Sequence, residues 1–218
     1  MSSATENFVK VIYQFNQNQG LDTKPGTVAK ALGISNAAAT DMAKKLALKE
    51  LVVFQKYRPL QLTENGKRMA LNVIRKHRLW ETFLYRTLKL SLHEIHREAE
   101  LLEHLTSDFL TERLSIFLGS PDVDPHGDPI PDIDGHLLSD QDQITLLSAE
   151  AGSEYKIVRL AGSDSEFFEF CEDNNITVGA QITVGKQYAK NKMTRILIND
   201  QKLLLNAVIT NKIFVEQK

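Results

Sequence analysis

The residues best suited to chemistry cluster between Ser91 and Leu105, in the stretch SLHEIHREAELLEHL, which holds three of the six histidines of this 218-residue chain. Ser91 and Glu94 are spaced as a capping box, so a helix is expected to start there. At about 100° per residue, His96, Glu100, Glu103 and His104 fall within an arc of roughly 100°, and His93 shares it. Ile95, Ala99, Leu102 and Leu105 take much of the remaining circumference. Imidazole nitrogens and carboxylate oxygens arranged this way are the donor set of a divalent transition-metal site. They suit the wet face of an amphipathic helix equally well, and this helix alone does not choose. A second stretch shifts the balance. His77 and Glu81 form an i, i+4 pair on the preceding expected helix, and two antiparallel helices would bring four or more donors together.

The elements that must position these groups can be read along the chain. Ser3 and Glu6 form another capping-box pattern ahead of Phe8, Val11, Ile12 and Phe15, so a first helix is expected over about 5–18, ended by Gly20. Thr27–Leu32 reads as a short helix, Gly33 and Ile34 as a tight turn, and Ser35 as the cap of a helix over 36–46. Short helix, glycine turn, capped helix is the helix-turn-helix order. Ala29, Leu32, Ile34, Met42 and Leu46 are its expected core, with Ala37, Ala38 and Thr40 as a face of small residues. Two strand-like runs, 51–54 and 60–62, flank QKYRP and suggest a wing with a basic tip. Thr63 should cap a long helix to about Leu88; after the donor-rich helix, a third should run from Ser107 to Leu118 and end at Gly119. Residues 119–136, rich in Asp, Pro and Gly, read as a loop carrying Asp124 and His126 in DPHG. Beyond about Gln143 the texture becomes short strands (144–147, 155–160, 180–184, 195–198 and 213–215) with one helix over 166–172, which suggests a small β-barrel. The expected architecture is mainly α in its N-terminal two-thirds, followed by that barrel. The division is 1–62, 63–140 and 141–218.

Charge follows the same division. Residues 1–62 carry eight Lys/Arg against four Asp/Glu, residues 63–140 nine against fourteen, and residues 141–218 nine against ten. A basic front suggests an anionic partner and an acidic middle a cationic one. No apolar run approaches the ~20 residues of a membrane span. The N-terminus lacks an apolar signal core, and the single cysteine, Cys171, cannot form an internal disulfide, so a cytoplasmic protein is expected. Cys171 itself reads as a small buried hydrophobe, and Trp80 as a core or dimer anchor.

These segments together resemble the diphtheria-toxin-repressor family of metal-dependent transcriptional regulators. The resemblance rests on ENFVKVIY at 6–13, KHRL at 76–79 with Glu81, ELLEH at 100–104 and PHGDPIP at 125–131. It covers nearly the whole chain and is greatest for the longer members with a C-terminal SH3-like, FeoA-type domain. The resemblance implies a winged helix-turn-helix, a helical metal-binding and dimerisation domain and an SH3-like domain. It implies that His77, Glu100, Glu103 and His104 are metal ligands, with Glu81 and His96 serving a neighbouring site. Asp124 and His126 match loop ligands of streptococcal-type members, and Asp164 (Glu166 second) matches a carboxylate from the C-terminal domain. Asn7 departs from the pattern, standing where the family has Met or Asp. Iron-responsive members place sulfur at the positions of Asn7 and Glu100. Oxygen at both favours Mn(II) over Fe(II) as cofactor.

The implied function is a Mn(II)-activated repressor of metal-uptake genes, not an enzyme, that binds a palindromic double-stranded operator as a homodimer. Ser35, Asn36, Ala37 and Thr40 are the expected groove contacts, with Ala37 suited to a thymine methyl. Lys44, Lys45, Lys56 and Arg58 are expected at phosphates. Tyr57 either reaches DNA or packs under the wing, and Asp41 is left open. A metallohydrolase is the competing class, but the chain has no H-E-x-x-H motif and no phosphate loop. A metal-independent regulator whose acidic face binds a protein is a third reading.

Overall fold

The computed structural model describes residues 2–17, 22–137, 142–162 and 164–217. The chain forms two compact units: residues 1–77, 100–112 and 131–137 in the first, and 78–99, 113–130 and 138–218 in the second. The expected end of the first helix at Gly20, and the expected boundary at 140, lie outside the described residues.

In the first unit, α1 (Ser3–Gln17) packs with α2 (Pro25–Ala31) and α3 (Asn36–Leu48). The core holds Phe8, Val9, Ile12, Val28, Ala29, Ala39, Ala43 and Leu46. The capping box expected at Ser3 and Glu6 is not made. Ser2 lies ahead of the helix and its hydroxyl accepts from Thr5 N (3.4 Å), while Ser3 is already helical and the Glu6 carboxylate is turned to His104. The helix-turn-helix forms: Gly33 supplies the left-handed turn (φ +64°) and Ser35 Oγ accepts from Ala38 N at 3.1 Å. Of its expected core, Ala29 and Leu46 are buried and Leu32 and Met42 are partly so, but Ile34 is 40% exposed. Ala39 and Ala43 supply the packing instead. The wing is minimal, β1 (Val52–Val53) pairing antiparallel with β2 (Gln61–Leu62). α4 (Glu64–Leu88) begins against Leu51: a Cβ on Gly66 would stand 2.0 Å from the Leu51 carbonyl oxygen, so only glycine fits. Thr63 caps it, its hydroxyl accepting from Gly66 N.

The second unit contains the later part of α4 and most of α5 (Leu92–Leu102), where the Ser91–Glu94 box is made in both directions. The end of α6 (Asp108–Phe117) and the loop to Ile130 follow, Leu79, Leu114 and Ile130 forming a small core with Trp80 and Phe83. The C-terminal part is a six-stranded antiparallel sheet of β3 (Ile144–Thr145), β4 (Glu154–Leu160), β5 (Gln181–Tyr188), β6 (Met193–Ile198), β7 (Gln201–Asn206) and β8 (Ile213–Gln217), in the order β3-β8-β4-β5-β6-β7. α7 (Ser165–Asp173) buries Phe167, Phe168 and Cys171, and α8 (Ala207–Thr210) bridges the last two strands. Burial pushes the Cys171 thiol up to about 12, so it is an inert core group.

Two strand expectations change. The run at 144–147 bends after two residues into a 3-10 turn. β7 is a strand beyond those the sequence texture suggests, and its hairpin with β6 turns through Asn199 and Asp200, both at positive φ (47° and 61°). Asn and Asp tolerate that conformation, so the turn signal was present in the sequence.

Candidate metal centres and nucleic-acid interface

The first candidate centre lies in the first unit. α5 stops at Leu102, so Glu103 and His104 sit in the turn beyond it and not on the helix face expected for them. The turn still keeps Glu100, Glu103 and His104 together, with a donor atom from each within 4.8 Å of the others. His77, from α4, brings Nδ1 to 2.6 Å from Glu103 Oε2 and 3.8 Å from Glu100 Oε1. Glu103 is 1% exposed. α1 contributes two charged groups to this cluster. Glu6 Oε2 lies 2.6 Å from His104 Nδ1. Lys10 Nζ donates to Glu100 Oε1 at 2.6 Å and to both Glu103 oxygens at 2.9 and 2.8 Å.

The donor set fits a divalent cation. The side-chain oxygen of Asn7 and Nε2 of His104 are both buried without a hydrogen-bond partner. A buried polar atom left unpaired is costly, so each such atom calls for a partner.

The second candidate centre lies in the second unit. Glu81, Asp124 and His126 are buried, at 2%, 4% and 5% exposure, with donor atoms within 4.8 Å of one another. His126 Nε2 is 3.2 Å from the Leu92 carbonyl, which can only accept, so Nε2 carries the hydrogen. Nδ1 then faces Glu81 Oε2 at 3.7 Å. His96 Nδ1 lies 3.1 Å from the other Glu81 oxygen, though its side chain is 56% exposed. Asp124 Oδ1 accepts from His126 N and Asp128 N, which shapes the loop, and Arg78 Nε stands 3.7 Å from Oδ2.

Charge balance here depends on protons. Burial pushes Asp124 well above the ordinary carboxylate range, helped by the charges of Glu81 and Asp128. Burial opposes charge on His126, but the adjacent Glu81 carboxylate and the charges of Asp124 and Asp128 outweigh it and raise the imidazole to about 9.

The C-terminal sheet holds this loop in place. Leu160 N donates to the His126 carbonyl at 2.8 Å, Phe168 lies 4.8 Å from the His126 ring, and Glu172 caps α5 by accepting from Leu92 N at 2.8 Å. A Cβ on Gly127 (φ +87°) would stand 1.9 Å from the Val158 carbonyl oxygen. Asp164 is not among these donors. It caps α7 through Phe167 N and pairs with Lys212 at 2.5 Å, a contact that holds it below the usual carboxylate range. Glu166 and His93 are exposed and belong to neither group. An exposed third group, Asp132, Asp134 and His136, is a turn in which Asp132 accepts from two backbone amides.

The nucleic-acid candidates are on the surface of the first unit. Ser35, Asn36, Ala37, Lys44, Lys45, Lys56, Tyr57 and Arg58 are exposed and Thr40 is half-buried. Tyr57 does not pack under the wing: it is 83% exposed at the tip, with Lys56 Nζ 4.8 Å from its ring centroid. Asp41 pairs with Lys45 at 2.9 Å, so it neutralises a neighbour on its own helix.

Three family models match. Residues 1–60 match the iron dependent repressor N-terminal DNA binding domain, 63–132 the iron dependent repressor metal binding and dimerisation domain, and 144–217 the FeoA domain. A solved manganese regulator, SloR, is 30% identical, with all of both chains covered and a TM-score of 0.77. The chain belongs to the iron-dependent repressor family. Its members are metal-dependent, DNA-binding transcriptional repressors with a dimerisation domain. A manganese-dependent transcriptional repressor solved with manganese is 29% identical, covering 98% of this chain and 100% of that one, with a TM-score of 0.89. The diphtheria toxin repressor of Corynebacterium glutamicum is 28% identical over 189 residues, 83% of this chain and 82% of that protein. Several other curated relatives are matched over only 55–57% of their length. No helix among the described residues is long and apolar enough to cross a membrane.

Three residues around the centres carry no local signal in the sequence. Lys10 is about 200° from Phe8 on a helical wheel, so periodicity assigns it to solvent. Glu6 has the spacing of a helix cap with Ser3, which hides its place beside His104. Glu172 is a plain surface acid in the sequence, and only its position beside Leu92 gives it a role.

Proposed function

We propose that this family member is a Mn(II)-activated repressor of metal-uptake genes that acts in the cytoplasm as a homodimer on a palindromic operator. The observation that carries the choice of metal is the chemistry of the two donor groups. Both consist of carboxylates and imidazoles, and Cys171 is in neither. Hard oxygen with imidazole suits Mn(II), whereas sulfur would favour softer ions. Fe(II) is the second reading, because the N-terminal and central segments match iron-dependent repressor models.

In this reading Glu100, Glu103, His104 and Asn7 hold one ion with His77 beside them, and Glu81, His96, Asp124 and His126 hold the other. Asp164 joins the second group only if its pairing with Lys212 opens. The divalent ion supplies positive charge that lets several buried carboxylates coexist. The protein's own part is positional. Glu6 and Lys10 tie α1 to Glu100, Glu103 and His104, so the charge state there is felt by the helix that packs on the helix-turn-helix core. Segments 1–62, 63–140 and 141–218 serve as DNA-binding, metal-binding and dimerisation, and FeoA-type domains.

Two DNA-binding domains of a dimer must address half-sites about 34–36 Å apart. Ser35, Asn36, Ala37 and Thr40 would face the groove, with Lys44, Lys45, Lys56, Tyr57 and Arg58 along the backbone. An ion shifts that equilibrium only by binding the competent arrangement more tightly. The test is binding to a duplex from the protein's own promoter, titrated with Mn(II), Fe(II) and Zn(II) against a chelator control. The reading expects metal-dependent binding with Mn(II) effective at cellular concentrations; equal affinity in chelator contradicts it.

A further inference from the structure

We propose that Lys10 is a tethered counter-cation of the first centre: its ammonium neutralises Glu100 and Glu103 in the metal-free protein and must leave them for a divalent ion to bind, which raises the metal concentration at which this centre fills. The inference rests on the metal reading of that centre.

The Lys10 side chain is only 6% exposed. A buried ammonium is tolerated only when it is paired and hydrogen-bonded. It donates to Glu100 Oε1 (2.6 Å) and to both Glu103 oxygens (2.9 and 2.8 Å), and His77 Nδ1, itself 2.6 Å from Glu103 Oε2, lies 3.5 Å away. These are the oxygens a divalent ion would take. Two cations sharing the same carboxylate oxygens repel strongly in a buried setting.

The arrangement also leaves donors idle. Asn7 Oδ1 has no partner, and His104 Nε2 stands 3.4 Å from Glu103 Oε1 without a hydrogen bond. An ammonium can only donate, and it reaches neither of them. A divalent ion could take a lone pair from both. The centre therefore has two complementary states. In one, Lys10 satisfies the carboxylates and strands Asn7 and His104; in the other, an ion engages all of them and Lys10 is released. Because Lys10 lies on α1, the exchange occurs on the element that packs against the helix-turn-helix core.

The test is Mn(II) binding to the full chain by calorimetry, with Mn(II) alone as the probe, in wild type, Lys10→Met, Lys10→Arg and Glu103→Gln. Glu103→Gln identifies the equivalent that belongs to this centre. Lys10→Met should bind that equivalent about tenfold more tightly or better, and its metal-free form should melt lower than wild type. Lys10→Arg, which keeps the charge, should show no such gain. If Lys10→Met does not fold, Lys10→Gln serves in its place with the same expectation. Equal or weaker binding by the folded neutral variant overturns the proposal. If Glu103→Gln then still loses one equivalent, the metal reading stands and only the role of Lys10 falls; if it loses none, both fall.

Discussion

Glu103 and Glu81 are both buried carboxylates flanked by histidines, yet their surroundings balance charge by different means. Around Glu103 the balance comes from a side chain, Lys10, donating to both oxygens. Around Glu81 it comes largely from protons, with His126 raised to about 9 and Asp124 pushed up, while Arg78 stays 3.7 Å from Asp124. A tethered ammonium is removed by mutation or displacement, whereas the charge on His126 is lost as pH rises through about 9. The two centres should therefore respond to different perturbations, and that separation can be tested.

The largest effect is expected from the proposed donors of the second centre. Glu81→Ala or His126→Ala should weaken Mn(II) binding at the second centre more than about 100-fold, beyond the roughly 10–100-fold typical of outer-shell partners. The equivalent defined by Glu103→Gln should persist in both variants. Loss of both equivalents in calorimetry would break the separation. Gly127→Ala should come next. Its backbone sits at φ +87° with the Val158 oxygen where a Cβ would go, so about 2–3 kcal/mol of destabilisation is expected in urea unfolding. Mn(II) binding at the second centre should weaken with it.

The pH response should be smaller but diagnostic. In the metal-free protein, the raised His126 contributes stability that is full below its ordinary value of 6.5 and is lost as pH rises through about 9. Ligation requires His126 neutral and Asp124 ionised, so binding releases protons. Raising pH by one unit, from about 7 to 8, should tighten Mn(II) binding at the second centre by up to about tenfold for each proton released. Affinity that does not change over that range, with Glu103→Gln isolating the second centre, would show that protons are not the balancing charge. The smallest effect belongs to the wing: Lys56→Ala and Arg58→Ala should each reduce the salt slope of operator binding by about 1 and leave Mn(II) binding unchanged.

How much of this was legible in the sequence depended on the range of the interaction. Local signals carried well. The Ser91–Glu94 box, the Ser35 cap and the positive-φ Gly33 turn all form as spacing implied. The same rule failed at Ser3–Glu6, because His104, 98 residues away, holds the carboxylate the cap would have used. Helical periodicity gathered Glu100, Glu103 and His104 although the helix ends before two of them, since a turn continues the approximate direction. Lys10 was beyond its reach, because α1 is buried on more than one face and a wheel assumes a single buried side. The attachment of the His126 loop to Phe168 and Leu160 depends on sheet register and has no local signature. Family resemblance grouped the distant candidate donors His77 and Glu103, which spacing alone leaves open and which lie 2.6 Å apart.

Metal occupancy is expected to control DNA binding, and this is tested by the affinity of the full chain for its own promoter duplex with saturating Mn(II) and with chelator at fixed salt. The account predicts at least about a hundredfold difference, corresponding to roughly 2.7 kcal/mol of coupling. That difference should collapse in the Glu81→Ala, Glu103→Gln double variant. Equal affinity in Mn(II) and chelator would contradict the account and reduce both clusters to structural ion pairs.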